Sequence, residues 1–215
     1  MSKFFDKSLR EVIEVSASTS PTPGGGSVSA LVACFGVAMT AMVSGLTLGK
    51  EKYKDVQPEV KDILEAAKAL LSRLEELVEA DIAEFNNFMA AYHLPRGTDV
   101  EKQARETAMQ KALKGATDTP MEIAGVCLKV LRLTDRLSTI GIKMAISDVG
   151  VAALMAEAAL EGVLLSVEIN TPMISDRDYV LRIIREKEQM SAEARILRDA
   201  ILAVVRDRIG SGNAS

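Results

Sequence analysis

From Ser18 to Gly49 the chain carries no charged side chain, and the first to appear is Lys50. The run opens on Pro21-Thr22-Pro23-Gly24-Gly25-Gly26-Ser27 and then stays apolar and rich in small residues. Proline lacks the amide hydrogen that a helix interior needs, so the Pro-Gly segment reads as a turn, with a helix expected over residues 27–47. A helix with no polar face must be surrounded, either by lipid or by other helices. Glycine, serine and threonine recur through this one, and it lacks the flanking basic cluster and aromatic belt of a membrane span. Small residues let neighbouring helices approach closely. The segment is therefore expected to be the central helix of a bundle.

The rest of the chain supplies the surrounding helices. Aromatic residues make up only 4% and Trp is absent, while Ala, Leu, Glu, Lys and Arg abound, a balance that leans all-α. Residues 4–16 place Leu9, Val12 and Ile13 on one face, and residues 56–92 form a long amphipathic helix. Thr98-Asp99-Val100-Glu101 matches a capping box and starts another helix, which Pro120 is expected to kink or break near Thr119, a further segment following to about Ser138. Ser147-Asp148 opens an apolar helix that Asn170-Thr171-Pro172 closes. Ser175 to Asp178 cap a last helix running to about Ile209. No linker, charge block or repeat divides the chain. The expectation is one all-α domain over residues 1–209, an antiparallel bundle of about six long helices around a buried apolar central helix, with a disordered tail at 210–215.

Several functional classes drop out on charge and composition. A net charge of −4 argues against nucleic acid as a partner. His93 is the only histidine, so the chain alone cannot assemble a multi-histidine metal site. Cys34 and Cys127 each stand alone in apolar stretches and read as buried, reduced thiols. The N-terminal MSKFFDKSLREV lacks the apolar core of a signal peptide, so a cytoplasmic location is expected.

Three places could carry chemistry. Gly24-Gly25-Gly26-Ser27 stands directly before a helix. It is either a turn with a serine cap or a backbone-lined pocket wall, where glycines permit close approach of a ligand. A valine at Gly25, and to a lesser degree at Gly24 or Gly26, is then expected to abolish ligand binding. Asp81 falls on or beside the apolar face of the long helix, between Val78 and Ile82 with Phe85 one turn on. A carboxylate there is costly unless it is solvated, paired or functional. Asp148 either caps its helix or serves a site.

The motifs "PTPGGGSVSA" at 21–30, "LTLGKEKY" at 46–53, "EADIAEF" at 79–85, "LPRGT" at 94–98 and "SDVGVAALMAEAALEGVLLSVEIN" at 147–170 stand in one order and spacing. Together they resemble the C-terminal domain of formiminotransferase-cyclodeaminases, a family that includes stand-alone bacterial methenyltetrahydrofolate cyclohydrolases. The resemblance implies an all-helical homodimer acting on tetrahydrofolate derivatives, with no cofactor beyond that substrate, no membrane and no nucleic acid. Asp81 is implied as the proton donor, with Asp148 second, its carboxylate meeting the amino-pyrimidine edge of the pterin. Pro23, Gly24, Gly25, Gly26, Ser27, Phe85, Ser147 and Asn170 are expected at the substrate, and Lys50, Lys52 and Arg96 at its carboxylate tail. Two family asparagines are replaced, by Ile142 after Gly141 and by Ser166 before Val167. Cyclohydrolase is the leading expectation, cyclodeaminase the close alternative, and a non-catalytic helical assembly protein the alternative of another kind.

Overall fold

The structure is a computed structural model and describes residues 4–211. Six α-helices follow one another: α1 (Leu9–Ser16), α2 (Gly25–Thr47), α3 (Gln57–Tyr92), α4 (Asp99–Ile140), α5 (Ile146–Asn170) and α6 (Arg177–Gly210). Short 3-10 turns lie at residues 51–56, 143–145 and 171–173, and no strand occurs among the described residues. The fold is the expected all-α bundle. Helices α2, α3, α4 and α5 each pack on the next, α2 and α5 close the ring, and α6 lies across α4 and α5.

Local chemistry sets most boundaries. Thr98 and Glu101 form the expected capping box, and Asp176 caps α6 by accepting the Tyr179 amide at 3.1 Å. Helix α1 begins at Leu9 and not at residue 4, because Ser8 and Glu11 form a capping box of their own there. Within it, Val12 packs on the core, but Leu9 and Ile13 face outward. At the other end α6 runs to Gly210, and residues 212–215 of the expected tail lie outside the described residues.

Three expectations are corrected. Helix α2 starts at Gly25 with Gly24 as its cap residue, so Gly25 and Gly26 form its first turn and Ser27 is no cap. Helix α5 starts at Ile146, and Ser147 and Asp148 lie in its first turn without capping it. Pro120 sits inside an unbroken α4. Its missing N–H leaves the Ala116 carbonyl without an intrahelical donor, and the side-chain amide of Asn170 on α5 fills the gap at 2.8 Å.

Helices α2 and α5 run antiparallel, with Ser29 beside Gly162 and Gly36 against the Ala152 carbonyl, where a Cβ would sit at 3.2 Å. Both helices are long and apolar enough to cross a membrane, and each is half buried in the bundle. Their small polar residues are used internally. Thr40 meets Thr134 of α4 at 2.8 Å, and Ser44 and Thr47 donate to carbonyls one turn back.

Helix α2 is not surrounded as expected. Along one side Val28, Phe35, Met42 and Leu46 are exposed, and Val151, Leu154, Leu165 and Ile169 continue this open face on α5. The face bears no charge from α2, which has none. Past its first turn, α5 carries three acids, all engaged by α6: Glu157 by Arg198, Glu161 by Arg195 and Glu168 by Lys187.

Candidate active site

Asp81 lies in the second half of α3, half-buried, with Phe85 and Phe88 following on the same helical face. The Ser27 hydroxyl donates to its Oδ2 at 2.5 Å. Burial pushes the Asp81 carboxyl above its ordinary range, and the hydroxyl and backbone amide of Ser27 pull against that shift. Gly26 explains how the carboxylate fits: a Cβ there would lie 2.8 Å from Oδ2 and closer still to Oδ1. The glycine therefore serves close approach, with an ordinary helical backbone, and Gly49 alone among the described residues has positive φ.

Asp81 opens into a cleft of about 360 Å³. Gly24, Gly25 and Gly26 form one side, and Phe85 and Phe88 another. Ser166, Ile169 and Asn170 at the end of α5 face them, with Ala116 and Met173 at the rim. Asn170 is held there by its bond to Ala116. Asp81 is the only ionisable group in this lining. The arrangement offers an apolar slot for a flat ring, backbone-lined on one side, with one desolvated carboxyl group as its proton donor or acceptor.

The other expected residues divide. Pro23 is buried and turns away from the cleft, toward Phe4 and Glu79. Ser27 is buried behind Asp81 and positions it. Arg96 is exposed in the α3–α4 turn. Lys50, Lys52, Ser147 and Asp148 gather at the opposite end of the bundle, since Asp148 and Ser166 are about 27 Å apart along α5. Ile142 is at that far end too, its amide donating to Thr47 Oγ1 at 2.8 Å, whereas Ser166 is in the cleft. Sequence reasoning missed Phe88, Ile169 and Met173. Phe88 carries a signal, being seven residues after Asp81 on the same face. Among the described residues no cluster of three or more His, Cys, Asp or Glu side chains is placed to hold a metal ion.

The formiminotransferase-cyclodeaminase family matches residues 8–189. Over 204 residues the chain is 36% identical to a methenyltetrahydrofolate cyclohydrolase of Methylorubrum extorquens, an alignment spanning 95% of this chain and 98% of that one. It is 32% identical over 196 residues to the formimidoyltransferase-cyclodeaminase of Gallus gallus, spanning 86% of this chain and 36% of that longer protein. The crystal structure of formiminotetrahydrofolate cyclodeaminase from Thermotoga maritima superposes with a TM-score of 0.87 at 28% identity, over 96% of this chain and all of that one. Sequence, fold and length thus agree, and the chain belongs to the formiminotransferase-cyclodeaminase family.

Proposed function

We propose that the chain is a methenyltetrahydrofolate cyclohydrolase, hydrolysing 5,10-methenyltetrahydrofolate to 10-formyltetrahydrofolate. The observation that carries this reading is the desolvated Asp81, held by Ser27 in a cleft that Phe85 and Phe88 wall on one side. The substrate's one-carbon bridge is a cationic amidinium. A carboxylate beside it stabilises the cation, and a raised pKa makes that carboxylate a better base. Water adds to the bridge carbon as Asp81 takes one of its protons. Asp81 then returns that proton to N5 as the C–N5 bond breaks, and the second proton leaves to solvent as the formyl carbonyl forms. No redox cofactor or metal enters this sequence, and the phenylalanine rings offer flat surfaces to the pterin.

Formiminotetrahydrofolate cyclodeaminase is the second reading, favoured by the similarity to the Thermotoga maritima structure. There N10 attacks the formimino carbon, and the same carboxyl protonates departing ammonia. A non-catalytic helical assembly protein gives no reason to keep a buried acid opposite a glycine. Purified protein should accelerate the loss of methenyltetrahydrofolate absorbance over its spontaneous decay and release no ammonia from a formimino substrate. Ammonia release would select the second reading, and failure on both substrates would remove both.

The chain acts in this reading as one domain in the cytoplasm, without nucleic acid or membrane, and as a homodimer through the open face of α2 and α5. That face is about 34 Å long and two helices wide, or roughly 600–700 Å² per protomer. Two copies together then reach the 1,200–2,000 Å² of a standard stable interface, at about the low end of that range. Phe35, 49% exposed near its middle, is the most sensitive position. Phe35→Glu should convert a dimer to a folded monomer in sedimentation, and a wild-type monomer at micromolar concentration would overturn the assembly.

A further inference from the structure

We infer that each active site is completed by the partner protomer: the twofold axis crosses the α2/α5 face near its middle and sets the partner's Asp148, Lys50 and Lys52 over this protomer's Asp81 cleft. The inference deepens the folate reading and rests on it.

The cleft and the open face are continuous. Ile169 belongs to both, and Gly25, exposed one turn before Val28, lines the cleft, so the cleft mouth lies at one end of the face. A folate derivative presents adjacent amino and ring N–H donors on its pterin and an anionic tail. The cleft offers one carboxyl group, already engaged with Ser27, and no cation. The complementary groups stand at the other end of the same face. Ser147 is exposed at the head of the α5 strip, and Asp148 beside it is half-buried, with no side-chain partner among the described residues. Lys50 and Lys52 are exposed there, their ammonium groups also without a hydrogen-bonding or ionic partner among the described residues.

Symmetry offers two simple ways to pair such a face with itself. An axis running along the helices sets like end on like end, so the Asp81 clefts meet each other and the lysines meet lysines. An axis across the helices sets each end on its opposite, and the lysine end covers the acidic cleft. Helices α2 and α5 are antiparallel and nearly flush, so the second arrangement brings the ends into register. It alone supplies the cations and the second carboxylate that the cleft lacks.

The test uses the full chain carrying two different affinity tags. The Asp81→Asn homodimer should fall to about 1% of wild-type turnover or less, within the range for loss of a general acid–base. The Asp148→Asn homodimer should fall to about the same level at subsaturating substrate, having lost the charged partner of the pterin donors. The heterodimer of one with the other contains one intact composite site of two, and should regain about half of wild-type turnover. A heterodimer as inactive as its parents, or an Asp148→Asn homodimer with wild-type turnover, would overturn the inference. A second readout needs no activity. Oxidation of a mixed Leu165→Cys and Val151→Cys dimer should give an inter-protomer disulfide, the native Cys34 and Cys127 being buried. No such link, or a link in the mixed Leu165→Cys and Val28→Cys dimer, would sink the arrangement. The expected link in a protein without folate turnover would leave the arrangement standing and remove the folate reading.

Discussion

Asp81→Asn should lower kcat by about 10²–10⁴-fold, the usual cost of removing a general acid–base, while changing KM far less. The amide keeps the size of the carboxyl and can still accept the Ser27 hydroxyl, but it cannot carry a proton between water and N5. The variant should also fold well, and its stability has a definite pH signature. Asp81 binds its proton more tightly in the folded chain than in the unfolded one, because burial disfavours the charge. The stability its carboxyl contributes is therefore fully present below its ordinary value of 3.8 and is lost as pH rises through the elevated folded value. The asparagine has no such dependence. Its melting temperature, measured relative to wild type, should rise across that window. Wild-type turnover by Asp81→Asn would remove Asp81 from the mechanism, and a pH-independent difference in melting temperature would contradict its buried environment.

Gly26→Val should abolish turnover as completely. Even the first carbon of the new side chain falls on the Asp81 carboxylate, and the β-branch enlarges the overlap. Asp81 must leave Ser27 and the cleft, or α2 must shift from α3. Overpacking of this kind costs about 1–3 kcal/mol, against which loss of a helical glycine returns roughly 0.5–1 kcal/mol. The fold should survive, read by circular dichroism, with kcat lost. Gly25→Val differs in kind. Nothing lies within 4 Å of a Cβ at Gly25, so valine there projects into the open cleft and should act on substrate affinity. A Gly26→Val protein with wild-type kcat would break the link between the glycine run and the carboxylate.

That contrast marks what the sequence makes legible. The Thr98 and Asp176 caps were readable because capping is decided within four residues. Asp81 was readable because its position in the apolar pattern of α3 is anomalous. The order of importance within Gly24-Gly25-Gly26 was not readable, because the reason for Gly26 is the Asp81 side chain, on another helix. The same holds for the uninterrupted α4, whose missing donor comes from Asn170 on another helix. Nor does spacing along the chain reveal which end of an antiparallel bundle a residue occupies. Asp148 falls within the same motif as Ser166 and Asn170, yet lies at the far end from Asp81, and so does Lys50.

The bond from Asn170 to Ala116 makes one wall of the cleft inseparable from the integrity of the longest helix. A proline in mid-helix leaves α4 unfinished by its own chemistry, and α4 becomes complete only when the end of α5 has docked beside it. The docking that satisfies α4 also raises the wall carrying Ser166 and Ile169. Seating of α5 is thus checked by the backbone of α4 at the very place where the substrate will later be held, so a chain that has closed its fold has, by the same contact, shaped its cleft.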